Sequence, residues 1–98
     1  MTSLSPSETK AALTTIPAWS ARRKVLRRTF EFADFVSAMK FVNAVARAAE
    51  QAQHHPDIEI RWNRVALTLT THDAGGLTRK DFDLAGRAEV LAAKLVAR

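Results

Sequence analysis

The feature that most constrains the fold is an alternation of apolar and polar residues over 57–71. A period of two predicts β-strands with one buried face and one wet face. The alternation breaks near Asn63, which predicts a hairpin with Trp62 and Asn63 as its central turn residues. In that register the facing residues on the buried side are all apolar: Ile60 with Val65, and Ile58 with Leu67.

A different period follows from Asp34 to Gln53, where apolar residues recur every 3.6 positions and Asp34 is a good N-cap. Apolar side chains cover about 180° of this helix, whereas a helix lying only on a sheet needs roughly 100°. The surplus, centred on Phe41, Ala48 and Ala52, predicts a second contact with another helix or another subunit. Deeper burial of the helix within one chain is the alternative, and the pattern does not decide between them.

The remaining segments complete an α+β pattern. Residues 5–8 form a capping box with proline at the first helical position, which predicts a short helix ending before Pro17. An extended segment follows over 19–32, and a last helix begins at Thr78 with Asp81 at the capping-box position and continues toward the C-terminus. The predicted order is α-β-β-α-β-β-α, a four-stranded antiparallel sheet with three helices packed on one face.

Residues 1–98 suffice for one domain with a lean core, because 18 of the 46 apolar residues are alanine. The absence of cysteine excludes disulfides, thiolate zinc sites and a cysteine nucleophile. No apolar run approaches the roughly 18–20 residues that span a bilayer. The polar N-terminus lacks the apolar segment of a signal peptide, so we expect a cytoplasmic protein that does not enter a membrane.

The net charge is +5, and five of the seven residues over 22–28 are basic. Outside that segment ten basic residues balance ten acidic ones. A nucleic-acid backbone needs basic groups spread over a face, so a single hairpin-sized cluster is more typical of a solvated strand edge. Nucleic-acid binding is therefore the less favoured interpretation.

All three histidines lie at the open end of the predicted hairpin. In the register above His55 faces Thr70, His54 faces Thr71, and His72 is one step further along. Imidazole titrates near neutral pH, so a cluster of histidines is suited to acid–base catalysis. The candidate carboxylates beside them are Glu50, Asp73 and Asp81.

Two other interpretations of the histidines stay open. His54 could be a cation favoured at a helix C-terminus, and His55 an ordinary strand entrance before Pro56. Three histidines and an aspartate could also hold zinc or another divalent metal, although adjacent His54 and His55 do not easily chelate one ion.

Two segments around these histidines strongly resemble the pterin-4a-carbinolamine dehydratase family. The first runs from Glu50 to Asp57 and contains the doubled histidine followed by proline. The second runs from Thr71 to Thr78 and is followed by Asp81. Supporting matches cover most of the chain, at 16–19 and 30–35. The sequence departs from animal members at Ile58, Ala74 and Gly75, and its loop around 22–24 looks shorter.

The resemblance implies a four-stranded antiparallel sheet with three helices, assembled as a homodimer or homotetramer. It implies dehydration of 4a-hydroxytetrahydropterin to quinonoid dihydropterin, in recycling of the pterin cofactor, without a metal or another cofactor. An alternative, also implied by the family, is a non-enzymatic module that binds a protein partner through helix 34–53. Carried over to this chain, the resemblance gives His54 and His72 as the acid–base pair, His55 as the substrate-positioning histidine, Glu50 and Asp81 as supporting carboxylates, and Gln53, Pro56, Thr70, Thr71 and Asp73 within the pterin-contacting segments.

Overall fold

The structure, a computed structural model, describes residues 2–96. Its four strands form one antiparallel sheet in the order β1-β2-β4-β3, and the predicted α+β order is confirmed. No helix within the described part of the chain is long and apolar enough to cross a membrane. The elements are α1 (Pro6–Leu13), β1 (Ser20–Arg22), β2 (Val25–Glu31), α2 (Phe35–Ala52), β3 (Asp57–Arg61), β4 (Arg64–Leu69), a 3-10 turn (His72–Ala74) and α3 (Arg79–Val96).

The hairpin of β3 and β4 has the predicted register. Ile58 pairs with Leu67 and Ile60 pairs with Val65, with Trp62 at the turn. Trp62 adopts a left-handed φ of 52° and is 69% exposed. Because the register holds, the end of β3 nearest α2 and the far end of β4 lie at the same end of the sheet.

The first hairpin turns over two residues, Arg23 and Lys24, which both have positive φ, 52° and 68°. This is the pattern of a type I′ turn, which matches the twist of antiparallel strands and which usually contains asparagine and glycine. The predicted short loop around 22–24 is therefore a two-residue turn.

Helix α2 begins after its N-cap Asp34, whose side chain accepts from the Ser37 backbone N–H at 2.8 Å. Phe41 and Ala48, in the predicted surplus arc, are 0% and 2% exposed in the single chain, whereas Ala52 is exposed. The helix packs on β4 and on α3. The second contact is thus with another helix of the same chain, and the arc needs no second subunit to cover it.

The core lies between the sheet and the helices and contains Phe41 packed against Phe30 and Phe32, with ring centroids 4.6 and 5.0 Å apart. Arg28 also lies on this side of the sheet. Its guanidinium is 4.1 Å from the centroid of the Phe30 ring and pairs with Glu89 of α3. The same Glu89 carboxylate accepts from Trp19 Nε1 at 2.8 Å. Arg28 therefore ties β2 to α3 on the core side of the sheet.

Helix α1 carries the predicted capping box, with Ser5 and Glu8 bonded reciprocally at 2.8 and 3.1 Å. The hydrogen bond from the Ser5 backbone N–H, joined by one from its side chain, lowers the pKa of Glu8. No residue of α1 is fully buried. The segment before it is anchored by the Leu4 backbone N–H, which donates to the Leu77 carbonyl at 2.7 Å.

Helix α3 has only half of its predicted capping box. The Asp81 carboxylate accepts from the Thr78 backbone N–H at 2.9 Å, but the Thr78 hydroxyl interacts with Thr71 instead of capping the helix. The helix buries apolar side chains that include Phe82, Ala85, Ala88 and Ala92, while Val96 is 58% exposed. The predicted continuation toward Arg98 reaches positions 97 and 98, which lie outside the described residues.

Candidate active site

The candidate site forms where the C-terminal end of α2, the far end of β4 and the first turn of α3 meet. Gln53 ends α2 in a left-handed conformation, with φ 51°. This turns the chain sharply, and His54 follows with its backbone N–H donating to the Ala49 carbonyl at 3.1 Å. His54 is thereby held against the end of its own helix, facing the start of α3.

Asp81 is the centre of the site. It is fully buried, at 0% exposure, and both of its oxygens are used. One oxygen lies 2.5 Å from His54 Nε2, and the other accepts from the Thr71 hydroxyl at 2.8 Å and the Thr78 backbone N–H at 2.9 Å. An ionised carboxylate only accepts hydrogen bonds, and in that form Asp81 accepts from all three partners, His54 Nε2 included.

These bonds fix the direction of the neighbouring hydroxyls. The single hydroxyl proton of Thr71 goes to Asp81, so the Thr78 hydroxyl, 2.8 Å away, must donate to the Thr71 oxygen. A chain of donors therefore converges on one buried carboxylate, and the carboxylate in turn accepts from His54.

The same geometry fixes the tautomer of neutral His54. Its Nε2 carries the proton that Asp81 accepts, so Nδ1 holds the free lone pair. Within residues 2–96 every buried side-chain nitrogen or oxygen has a hydrogen-bond partner. Because His54 Nδ1 has none, this nitrogen must reach the surface, although the residue as a whole is only 9% exposed.

His55 is in a different environment. Its Nε2 lies 2.5 Å from Glu50 Oε2, and both side chains are largely exposed, at 62% and 76%. Glu50 is in the last turn of α2 and supports His55, whereas Asp81 supports His54. The two carboxylates predicted from the sequence thus each hold a different histidine.

His72 opens the 3-10 turn His72–Ala74, is exposed, and has no side-chain partner among residues 2–96. It directly follows Thr71, whose hydroxyl shares the Asp81 carboxylate with His54. The loop is closed by a pairing of Thr71 with Gly76. The Asp81 side chain therefore links His54 to Thr71, the residue that precedes His72.

The other residues predicted to contact substrate have varied surroundings. Gln53 and Asp73 are exposed, and Pro56 is half-buried. The Thr70 hydroxyl donates to the Lys24 carbonyl at 2.7 Å, and the Thr71 hydroxyl is bound to Asp81. Both threonine hydroxyls are thus occupied within the protein.

Thr78 belongs to this network, although sequence reasoning gave it only a capping role. Its spacing of three residues from Asp81 was the available signal, and it correctly indicated the backbone contact. No group of three or more histidine, aspartate or glutamate side chains within the described residues could hold a metal ion. The metal interpretation that the sequence left open therefore has no ligand cluster here.

The fold and these contacts define an α+β domain in which one histidine is held by a buried carboxylate and a second, exposed histidine lies on the adjoining loop. A family model described as pterin 4 alpha carbinolamine dehydratase matches residues 2–91, and the chain belongs to this family. Two relatives named for this dehydratase come from Acidobacterium capsulatum and a Picosynechococcus species. They are 55% and 51% identical over 93% and 92% of this chain, and the matches cover 99% and 98% of their own lengths.

Solved structures give the same picture of the fold. A transcriptional coactivator/pterin dehydratase from Brucella melitensis superposes with a TM-score of 0.89 at 35% identity, covering 92% of this chain and 98% of its own. A pterin dehydratase-like RuBisCO assembly factor of the α-carboxysome superposes with a TM-score of 0.64 over 76% of this chain and 86% of its own. At 23% identity the second likeness shows the fold alone.

Proposed function

We propose that this protein dehydrates a 4a-hydroxytetrahydropterin to the quinonoid dihydropterin by histidine acid–base catalysis, in recycling of a pterin cofactor. The family supports the reaction class, and the observation that carries the mechanism is the His54–Asp81 contact at 2.5 Å. A buried carboxylate that accepts from one ring nitrogen holds the neutral imidazole in one tautomer, with a lone pair on the other nitrogen. Such a nitrogen is suited to accept a proton from a bound substrate.

The reaction needs two proton transfers. The C4a–OH bond breaks and the leaving oxygen takes up a proton to become water, while the adjacent ring nitrogen loses its proton and forms a double bond to C4a. We assign the base to His54 Nδ1, because the Asp81 carboxylate stabilises the positive charge that the imidazole gains. The acid is His72, whose exposed ring can exchange its proton with solvent.

The remaining predicted residues take supporting parts. His55 positions the pterin, with its ring oriented by Glu50. Gln53, Pro56 and Asp73 line the pterin-contacting segments, and Thr70 and Thr71 contribute through the backbone because their hydroxyls are already bonded. Each proton transfer of this kind is typically worth about 10²–10⁴ in rate.

The test is a dehydration assay on freshly generated 4a-hydroxytetrahydropterin, followed by ultraviolet absorbance. His54→Ala and His72→Ala should each lower kcat strongly, and the double variant should lose less than the product of the two effects, because the residues act as a unit. His55→Ala should mainly raise KM, and a chelator should leave the rate unchanged.

His54→Ala leaves one oxygen of buried Asp81 without its partner and could unfold the domain. His54→Gln, whose amide can donate to that oxygen, is the folded counterpart, and its thermal unfolding should be measured beside its kcat. Full activity in the double alanine variant would end the acid–base proposal, and activity restored by added zinc would favour a metal site instead.

The second candidate is a non-enzymatic module that binds a protein partner through α2. The observation in its favour is that Phe35 and Val36, in the first turn of α2, are 49% and 62% exposed. Against it, Phe41 and Ala48 of the arc that first suggested this role are buried inside the chain. A folded protein that does not dehydrate the pterin substrate would favour this candidate.

A further inference from the structure

A cavity of about 450 Å³ lies between α1, the β1–β2 turn and the Gly76-Leu77 segment. We call it the basic groove, because four of its lining residues are cations and none is acidic. Apolar carbon atoms supply much of the wall between the charges. The cations are Lys10, Arg22, Arg23 and Lys24, and the larger apolar residues include Leu13 and Leu77.

These four cations are not neutralised within the described part of the chain. The ion pairs there involve other residues, and two of these ion pairs contain the remaining basic residues of the segment 22–28. Arg27 pairs with Glu59 on the open face of the sheet, and Arg28 pairs with Glu89 on the core side. The residues of the segment without an acidic partner, at 22–24, lie with Lys10 around the same cavity.

The turn that carries two of the cations is held in an uncommon conformation. Arg23 and Lys24 both have left-handed φ, as a type I′ turn requires, although non-glycine residues seldom adopt it. The Thr70 hydroxyl fixes the turn by donating to the Lys24 carbonyl at 2.7 Å. The side chains therefore start from a defined backbone position and not from a loose loop.

The loop that follows β4 connects the basic groove to the candidate active site. Thr70, which holds the turn, is two residues before His72 in the chain. Gly76, which lines the groove, pairs with Thr71 across the loop that begins at His72. A Cβ at Gly76 would lie 3.2 Å from Ser3 and 3.7 Å from the Lys24 side chain, so the glycine allows this loop and the groove wall to approach closely.

We propose that the basic groove binds an anionic side chain of the pterin substrate, a phosphate or a carboxylate at the end of a short carbon chain. This inference rests on the proposed function, since it assumes that the pterin ring binds beside His54 and His72. Clustered cations with apolar carbon between them fit one small molecule with a terminal anion. A nucleic acid would need basic groups spread along a face, and Arg27 and Arg28 are engaged elsewhere.

The experiment compares two ligands that differ only in a terminal phosphate, 7,8-dihydroneopterin and its 3′-phosphate, by isothermal titration calorimetry at low salt. We expect the phosphorylated pterin to bind about tenfold more tightly, the gain of one charge-assisted contact. Added sodium chloride should reduce this preference, because exposed charges are screened. A parallel titration with 7,8-dihydrofolate tests whether carboxylates are bound as well as phosphate.

Lys10→Gln/Arg22→Gln removes two groove cations from ordinary helix and strand positions. It should abolish most of the preference and leave the affinity for neutral dihydroneopterin unchanged. The control is Arg47→Gln/Arg61→Gln, which removes the same charge from exposed positions outside the groove and should keep the preference.

Equal affinity of the two ligands for the unmodified protein would overturn this inference and leave the proposed function intact. A preference that survives in Lys10→Gln/Arg22→Gln, or is lost equally in the control, would also overturn it. Failure of every pterin to bind would overturn the inference together with the proposed function.

Discussion

At the scale of single residues, the carboxylate of Asp81 determines which nitrogen of His54 is available. Its three hydrogen bonds are all received from donors, and two of them come from Thr71 and Thr78 on the side away from the imidazole. This arrangement admits only one orientation of any amide that replaces the carboxylate. The tautomer of His54 can therefore be reversed by changing one group.

Asp81→Asn should place its amide oxygen toward Thr71 and Thr78, where two donors point, and its NH₂ toward His54. His54 Nε2 must then accept, so the proton moves to Nδ1 and the proposed base is lost. We expect kcat to fall by about 10²–10⁴-fold, with the imidazole tautomer read from its ¹⁵N chemical shifts. Asp73→Asn, which changes an exposed carboxylate of the His72–Ala74 turn, is the control and should retain the Nε2–H tautomer of His54. Unchanged kcat in Asp81→Asn would contradict the assignment.

Thr71→Val tests the support of that carboxylate. Valine has a similar shape, but it removes one donor from buried Asp81 and leaves the Thr78 hydroxyl without its acceptor. The free energy of unfolding should fall by about 1–3 kcal/mol, measured by denaturant titration. Thr70→Val, which removes a hydroxyl bound to a carbonyl in a less buried place, should cost less. Equal losses in the two variants would show that the Asp81 network has no special weight.

At the scale of the elements, β2 and α3 are tied by one acidic side chain. Glu89 accepts from Trp19 Nε1 and pairs with Arg28, which is about three-quarters buried. A second ion pair, between Arg27 and Glu59, lies on the open face of the sheet with both side chains about half exposed. Because burial limits screening, the first pair should contribute far more to stability than the second.

Glu89→Ala should lower the free energy of unfolding by about 1–3 kcal/mol, because it leaves the buried Trp19 N–H and the Arg28 guanidinium without an acceptor. For a domain of this size each kcal/mol corresponds to roughly 4–8 °C in Tm. Glu59→Ala is the matched control, and its effect should stay within about 1 kcal/mol. The measurement is the Tm of each variant. Similar Tm values would contradict the proposal that Glu89 stabilises the domain more than Glu59 does.

The β1–β2 turn gives a prediction of the opposite sign. Lys24 has a φ of 68°, and a non-glycine residue in the left-handed region costs about 1–2 kcal/mol. Lys24→Gly removes this cost but adds about 0.5–1 kcal/mol of chain entropy on unfolding, so the domain should gain up to about 1.5 kcal/mol. Arg22→Gly, at an ordinary strand position, should destabilise it. Denaturant titration of both variants is the measurement, and destabilisation by Lys24→Gly would contradict the argument.

At the scale of the whole molecule, the features that could be predicted are those fixed by local periodicity. The β3–β4 register follows from the sequence because a turn at Trp62 and Asn63 places Ile58 opposite Leu67 and Ile60 opposite Val65. The role of Arg28 could not be predicted, since its partner Glu89 is 61 residues away. The sequence indicated that Thr78 contacts Asp81, because the two residues are three apart at a helix start. It did not indicate that Thr71 joins them, because an irregular loop brings Thr71 to Asp81.

Oligomerisation remains a prediction. Phe41 and Ala48 of the helix arc that first suggested it are buried, but β3 is a free edge of the sheet and carries Ile60 at 40% exposure, next to Trp62 at 69%. Exposed apolar edges favour pairing with another chain. We expect a homodimer or homotetramer at micromolar concentration, measured by sedimentation against the 10.8 kDa monomer. Ile60→Lys should weaken the association, with Lys40→Arg on α2 as a neutral control, and a protein that is only monomeric would contradict the prediction.

The alanines buried in α2 and α3 have a consequence for how narrowly the site tolerates mutation. His54 follows the end of one helix and Asp81 lies in the first turn of the other, so the gap between the two helices is also the gap that their 2.5 Å contact must bridge. Helix separation depends on the size of the side chains at the contact, and α2 and α3 pack on each other with Ala48, Ala85 and Ala88 among their buried residues. The separation of the two helices thus sets the distance between His54 and Asp81. We expect one added methyl group between the helices, away from the histidines, to lengthen this distance while the domain still folds. Substitutions in related sequences should therefore be limited by the space between α2 and α3 as much as by the histidines themselves.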